Sequence, residues 1–131
     1  MNTIIPYGKQ NIEKKDLVAV TNALKQDKIT TGPLVEKFEK NICFFTKSKY
    51  SIVCNSGTSA LYLAFKAVSL KKNDIVIMPS ITFVSSYSAA KILNARVYLA
   101  DVDPVTGQMT PQNVLDCCKK FKIKKVKILV V

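Results

Sequence analysis

An α/β fold built on a parallel sheet is what this sequence predicts, and three observations carry the prediction. Short apolar runs of strand length recur at 51–54 (SIVC), 74–78 (DIVIM), 96–100 (RVYLA) and 127–131 (KILVV). Stretches at 58–70, 85–93 and 111–120 separate them, each long enough for a crossover helix. After a polar first residue the runs are apolar instead of alternating, which is the pattern of strands covered on both faces, as in parallel sheets flanked by helices. With 131 residues and 48% hydrophobic content the chain can bury a sizeable core, and a disordered, collagen-like or low-complexity chain is excluded.

Two helices precede this pattern. Residues 13–26 place Leu17, Val18, Val20 and Leu24 at helical spacings, with Asn11 available as the cap. Ile29-Thr30-Thr31-Gly32-Pro33 then reads as a turn. Its Pro suits the first position of a second amphipathic helix carrying Leu34, Phe38, Ile42 and Phe45. From residue 50 the sequence reads βαβαβαβ, so the domains expected are a helical segment over 1–49 and an α/β unit over 50–131. Right-handed crossovers place the strand ends along one edge of the sheet, where open α/β sheets bind ligands.

Composition removes several classes of chemistry. The chain has no His, and its four cysteines form no CxxC pair, so imidazole catalysis by this chain's own residues is excluded and no structural zinc site or other metal is expected. The net charge is +11, yet nineteen of the twenty basic residues are Lys and Arg96 is the lone Arg. Bidentate readers of phosphates and guanines are therefore missing, and no nucleic-acid partner is expected. One dense run, Lys119, Lys120, Lys122, Lys124, Lys125 and Lys127, reads either as a docking site for an acidic partner or as a solvated helix end. The first twenty residues lack a signal-type apolar core and no run is long enough to span a bilayer, so a cytoplasmic chain with no membrane partner is expected. Unpaired cysteines suit the same reducing compartment.

Candidate chemistry gathers at the strand ends. The first run leads into Cys54-Asn55-Ser56-Gly57-Thr58-Ser59-Ala60, and the helix after it is apolar nearly all round. Such a turn presents unpaired N–H groups and a positive dipole end that suit a phosphate. Gly57 allows close approach, while Thr58 and Ser59 add hydroxyl donors. An ordinary helix cap explains the same residues, and the turn alone leaves both readings open. Phe83, after the second run, reads as a ring that covers a planar ligand or as core. Asp101-Val102-Asp103-Pro104 reads as turn chemistry rather than a catalytic carboxylate pair.

Together, Ile29-Thr30-Thr31-Gly32-Pro33 with Phe38-Glu39, Asn55 through Leu61, Pro79-x-x-Thr82-Phe83-Val84, and Ala95-x-Val97 through Asp103 resemble the DegT/DnrJ/EryC1/StrS family. These are sugar aminotransferases dependent on pyridoxal 5'-phosphate. The resemblance runs the length of the chain and implies the large domain of a PLP-dependent transferase of fold type I, a parallel-strand-rich sheet with crossover helices, here incomplete. It implies transfer of an amino group from a donor such as glutamate to a 4-keto or 3-keto UDP- or dTDP-linked sugar, by a homodimer. On the matching positions Gly57, Thr58 and Ser59 would hold the cofactor phosphate and Phe83 would stack on its ring. Tyr7 and Lys28, Ile29, Thr30 and Thr31 become candidate substrate contacts. The sequence departs from the family at Ser85 and Ser86, where Ala-Thr is usual, and at Asn94, where Gly is frequent. The Schiff-base lysine and the carboxylate that pairs with the ring nitrogen would lie beyond Val131. The expectation is thus an amino-terminal portion, inactive alone, whose strand at 51–54 does not pair with the next three. The alternative is a self-sufficient small α/β domain that binds a phosphorylated metabolite without catalysis.

Overall fold

A computed structural model describes residues 8–131 and divides the chain into two compact units, Met1–Val53 and Cys54–Val131. In the first, α1 spans Lys14–Leu24 and α2 spans Pro33–Thr46. The cap of α1 is Glu13, not Asn11 as expected. Asp16, three residues on, reaches back to accept the Glu13 N–H at 2.8 Å, and that carboxylate in the first turn sets the start two residues later. Pro33 occupies the first turn of α2, as its fixed φ predicts. Neither helix buries a residue. Their expected apolar faces exist, but the described residues of this unit form no sheet to cover them, and Leu17, Val20 and Phe38 stay more than half exposed.

The second unit alternates α3 (Gly57–Ala67), β1 (Ile75–Pro79), α4 (Ser85–Ile92), β2 (Arg96–Ala100), α5 (Pro111–Lys120) and β3 (Ile128–Leu129). All pairing is parallel and the strand order is β2-β1-β3. β1 is the centre: Val76, Ile77 and Met78 have no exposed surface, and each contributes about 1.5–3 kcal/mol through burial. Alternation along β1 splits the core into two layers. Val76 and Met78 pack with Phe65, Leu70, Ala89 and Ala90 beneath α3 and α4. Ile77 faces the other way, against Ala100, Cys117, Val114 and Met109 beneath α5. β2 is an edge strand, with Arg96 and Leu99 exposed, so the expectation of burial on both faces holds for β1 alone.

Two of the expected strands differ in the structure. No strand forms at 51–54; Val53 N–H donates to the Glu39 carboxylate at 3.0 Å instead. An apolar run becomes a strand only where it lines up with free backbone groups of a neighbour, and the paired order β2-β1-β3 does not include this run. The last strand is shorter than 127–131. Its paired core is Ile128 and Leu129, and ladder-like bonds continue on either side, from Lys127 N–H to Ile75 O at 2.8 Å and Val130 N–H to Ile77 O at 3.0 Å.

The chain passes from β1 to β2 on one side, then returns past β1 to β3 on the other. With right-handed crossovers that reversal puts α4 and α5 on opposite faces, and it opens a crevice beyond the strand ends between β1 and β3.

Candidate functional site

At that crevice lies a cavity of about 400 Å³ lined by Pro79, Ile81, Thr82, Gly107, Gln108, Met109 and Val131. The loop after β1 forms one wall and the loop after β2 another. Asp103 holds the second loop: its Oδ1 accepts from the Val105 and Thr106 N–H groups at 3.0 and 2.8 Å and from the Thr106 hydroxyl at 3.0 Å. The Thr106 backbone and hydroxyl bonds hold the Asp103 carboxyl below its usual range, against an opposing effect of burial and with a lesser contribution from the Val105 bond. Gly107 closes the turn with a φ of 69°, a left-handed conformation that suits glycine. Asp103 is thus a turn residue, as its sequence context implies.

Two helix starts meet beside the β1 loop. Ser56 caps α3, its Oγ accepting the Ser59 N–H at 3.2 Å, and the Ser59 hydroxyl donates to Asn55 Oδ1 at 2.7 Å. The Ser59 donors are therefore spent on the cap. The N–H groups of Gly57 and Thr58, by contrast, have no acceptor among the described residues. A Cβ placed on Gly57 would meet nothing within 4 Å, so the space before these donors is open. The Thr58 hydroxyl lies 2.7 Å from that of Ser85, the first residue of α4. α4 has no side-chain cap of its own. The arrangement brings two positive helix ends together, with free donors at one of them, a geometry suited to an anion. Phe83 stands two residues before Ser85 and is 76% exposed, so it is not a core residue.

Ser85 and Asn55 are the residues that motif reading missed as parts of the site. Ser85 is 7% exposed, and its hydroxyl bond ties together residues 27 apart in sequence. The departure of Ser85 from the family pattern was the available signal. In the first unit Lys28, Ile29, Thr30 and Thr31 gather with Ala23, Leu24 and Leu34 around a separate cavity of about 80 Å³. A Cβ at Gly32 would lie 3.3 Å from Lys28 Cβ, so this turn is close-packed. Tyr7, the remaining candidate, lies outside the described residues. Among the described residues no helix is long and apolar enough to cross a membrane.

The sequence pattern that defines the DegT/DnrJ/EryC1/StrS aminotransferase family matches residues 10–128. The UDP-4-amino-4,6-dideoxy-N-acetyl-beta-L-altrosamine transaminase of Campylobacter jejuni subsp. jejuni is 39% identical over 99 residues, 76% of this chain and 26% of that protein. The chain thus spans about a quarter of that curated relative. Among solved structures, Streptococcus pneumoniae Spr1654, named as a sugar aminotransferase and solved in PLP and PMP forms, superposes with a TM-score of 0.78 at 26% identity. That match covers 86% of this chain and 29% of the PLP-form chain. An aminotransferase from Psychrobacter cryohalolentis superposes with a TM-score of 0.75 at 29% identity, covering 85% of this chain and 29% of that one.

Proposed function

The chain belongs to the DegT/DnrJ/EryC1/StrS aminotransferase family, and from that premise we propose that it carries the phosphate- and ring-binding part of a pyridoxal phosphate-dependent sugar aminotransferase. The observation that supports this most is the junction of α3 and α4, where the open Gly57 and Thr58 N–H groups lie next to the loop bearing an exposed Phe83. Gly57 and Thr58 donate to the phosphate oxygens, and both helix dipoles favour its negative charge. Ser59 contributes through the cap, holding the first turn of α3 in place. Ser85 fixes the Thr58 side chain. Phe83 covers one face of the ring and keeps water from it. Pyridoxal phosphate, when bound, supplies the carbonyl that receives the amino group and the ring that stores the released electron pair.

The reaction class under this reading is amino transfer, with glutamate as donor, to a keto carbon of a UDP- or dTDP-linked sugar. Lys28 offers an ammonium group to the diphosphate, and Thr30 and Thr31 offer hydroxyls to the sugar; Tyr7 offers an aromatic face. None of the chain's lysines stands at the position that the resemblance gives to the covalent link. By this reading residues 1–131 bind pyridoxal phosphate without reacting with it.

Titration with pyridoxal phosphate, pyridoxal and inorganic phosphate tests the proposal. Saturable binding of pyridoxal phosphate, competed by phosphate and much weaker for pyridoxal, is the expected result. Equal binding of pyridoxal would remove the phosphate site. Borohydride treatment should leave no single lysine stoichiometrically modified in mass mapping, and one such lysine would overturn the assignment of the covalent link.

A further inference from the structure

The second unit separates its charges by edge. Because α3, α4 and α5 run antiparallel to the strands that come after them, their C-terminal ends lie at the edge where the strands begin, opposite the candidate site. Lys66 stands in the last turn of α3, Lys91 in that of α4, and Lys119 and Lys120 in that of α5. Lys71 and Lys72 lead into β1, and Arg96 opens β2. Lys122, Lys124, Lys125 and Lys127 lead into β3. Every basic residue of Cys54–Val131 is therefore on this edge, and every one is exposed.

Backbone bonds hold the lead-in segments side by side: Asn73 N–H to Asn94 O at 3.0 Å, Arg96 N–H to Asp74 O at 2.9 Å, and Lys127 N–H to Ile75 O at 2.8 Å. Few carboxylates offset them. Asp101 and Asp103 lie at the opposite edge, and Asp74 is engaged by the Lys71 N–H at 2.9 Å. Asp116 accepts from Gln112. Among the described residues none of these cations is in an ion pair.

Helix dipoles account for Lys66, Lys91, Lys119 and Lys120, since cations are favourable in a last turn. They do not account for the lysines of the loops, which add mutual repulsion without local compensation. The near-absence of Arg argues against planar, bidentate recognition of phosphate or bases and for point-charge pairing with carboxylates. Phe121, 45% exposed with the Lys120 ammonium 5.5 Å from its ring centre, offers an apolar contact amid the charges. We infer that this edge docks an acidic, Asp/Glu-rich segment of a partner protein on the face opposite the cofactor junction.

Poly-L-glutamate is the probe. It should bind the protein with an affinity that falls as salt rises. The variant with Lys122, Lys124, Lys125 and Lys127 all changed to Gln should bind about tenfold or more weakly, with pyridoxal phosphate affinity unchanged. Carbodiimide cross-linking of poly-L-glutamate to the unaltered protein, mapped by mass spectrometry, should label Lys71, Lys72 and Lys122 to Lys127. Unchanged affinity in the variant, or cross-links centred on α1, overturns the inference. So does tighter binding to phosphatidylglycerol vesicles or duplex DNA than to poly-L-glutamate at equal charge.

Discussion

The Thr58 hydroxyl lies 2.7 Å from the buried Ser85 hydroxyl and belongs to the helix turn whose N–H groups stand open, so its effects on stability and on ligand binding are separable. Thr58→Ala leaves Ser85 without its partner, a loss of about 1–3 kcal/mol. Changing Ser85→Ala as well should restore part of the stability but not the cofactor affinity. Gly57→Val should spare the fold, since its Cβ meets nothing within 4 Å, yet fill the space a phosphate needs. Charge-assisted bonds contribute about 1.5–3 kcal/mol each and ring stacking about 0.5–1.5 kcal/mol. Gly57→Val and Thr58→Ala should therefore release cofactor more readily than Phe83→Leu in absorbance titrations. A Gly57→Val protein with normal retention would sink the phosphate assignment. Asp103 gives a pH-dependent case. Its carboxyl is held below the ordinary value of 3.8, chiefly by Thr106, so it stabilises the folded turn above that value. That contribution disappears as pH falls through 3.8 toward the lower folded value. Amide chemical shifts of Val105 and Thr106 should move together in the acid range, and Asp103→Asn should abolish the movement; unchanged titration in the variant would assign it elsewhere.

At the scale of elements, the two capped helices of the second unit make a controlled pair. α5 starts at Pro111 behind Thr110, whose Oγ1 accepts the Asn113 N–H at 3.3 Å, and α3 starts at Gly57 behind Ser56. Ser56→Ala and Thr110→Ala should each destabilise the start of their own helix by about 1 kcal/mol, seen as faster amide hydrogen exchange in its first turn. Only Ser56→Ala should weaken pyridoxal phosphate binding, because only its helix carries the Gly57 and Thr58 donors assigned to the phosphate; equal weakening by Thr110→Ala would mean that the binding loss reports general loosening. α5 was legible at both ends, since its cap, its Pro and its last-turn lysines are local signals. The start of α1 was less so, because Asn11 offered a cap in the sequence while the actual cap, Glu13, rests on Asp16 reaching back to it. The run at 51–54 reads as a strand by composition, yet a strand depends on a neighbour that composition does not reveal.

For the whole chain, large apolar side chains remain in solvent: Phe44 is 88% exposed, Phe45 86% and Ile52 79%. β3 adds a short outer strand whose far side has no paired neighbour among the described residues. Exposed apolar surface and free strand edges template association. Residues 1–131 in isolation should bind a hydrophobic dye, aggregate on concentration and lack a cooperative unfolding transition. A monomer with one sharp calorimetric transition, near roughly 0.7 kcal/mol per residue, would instead favour a self-sufficient small domain. The sequence by itself determined the α/β class, the order of the elements from Gly57 onward and the Gly57 turn, because periodicity, caps and turn chemistry act over a few neighbouring residues. Only the tertiary structure decided that β1 lies between β2 and β3, that Ser85 holds Thr58, that Phe83 stays in solvent, and that basic residues scattered along the second unit share one edge. Each of those depends on residues far apart in sequence meeting across the sheet, and pairing and packing of that range leave no local trace.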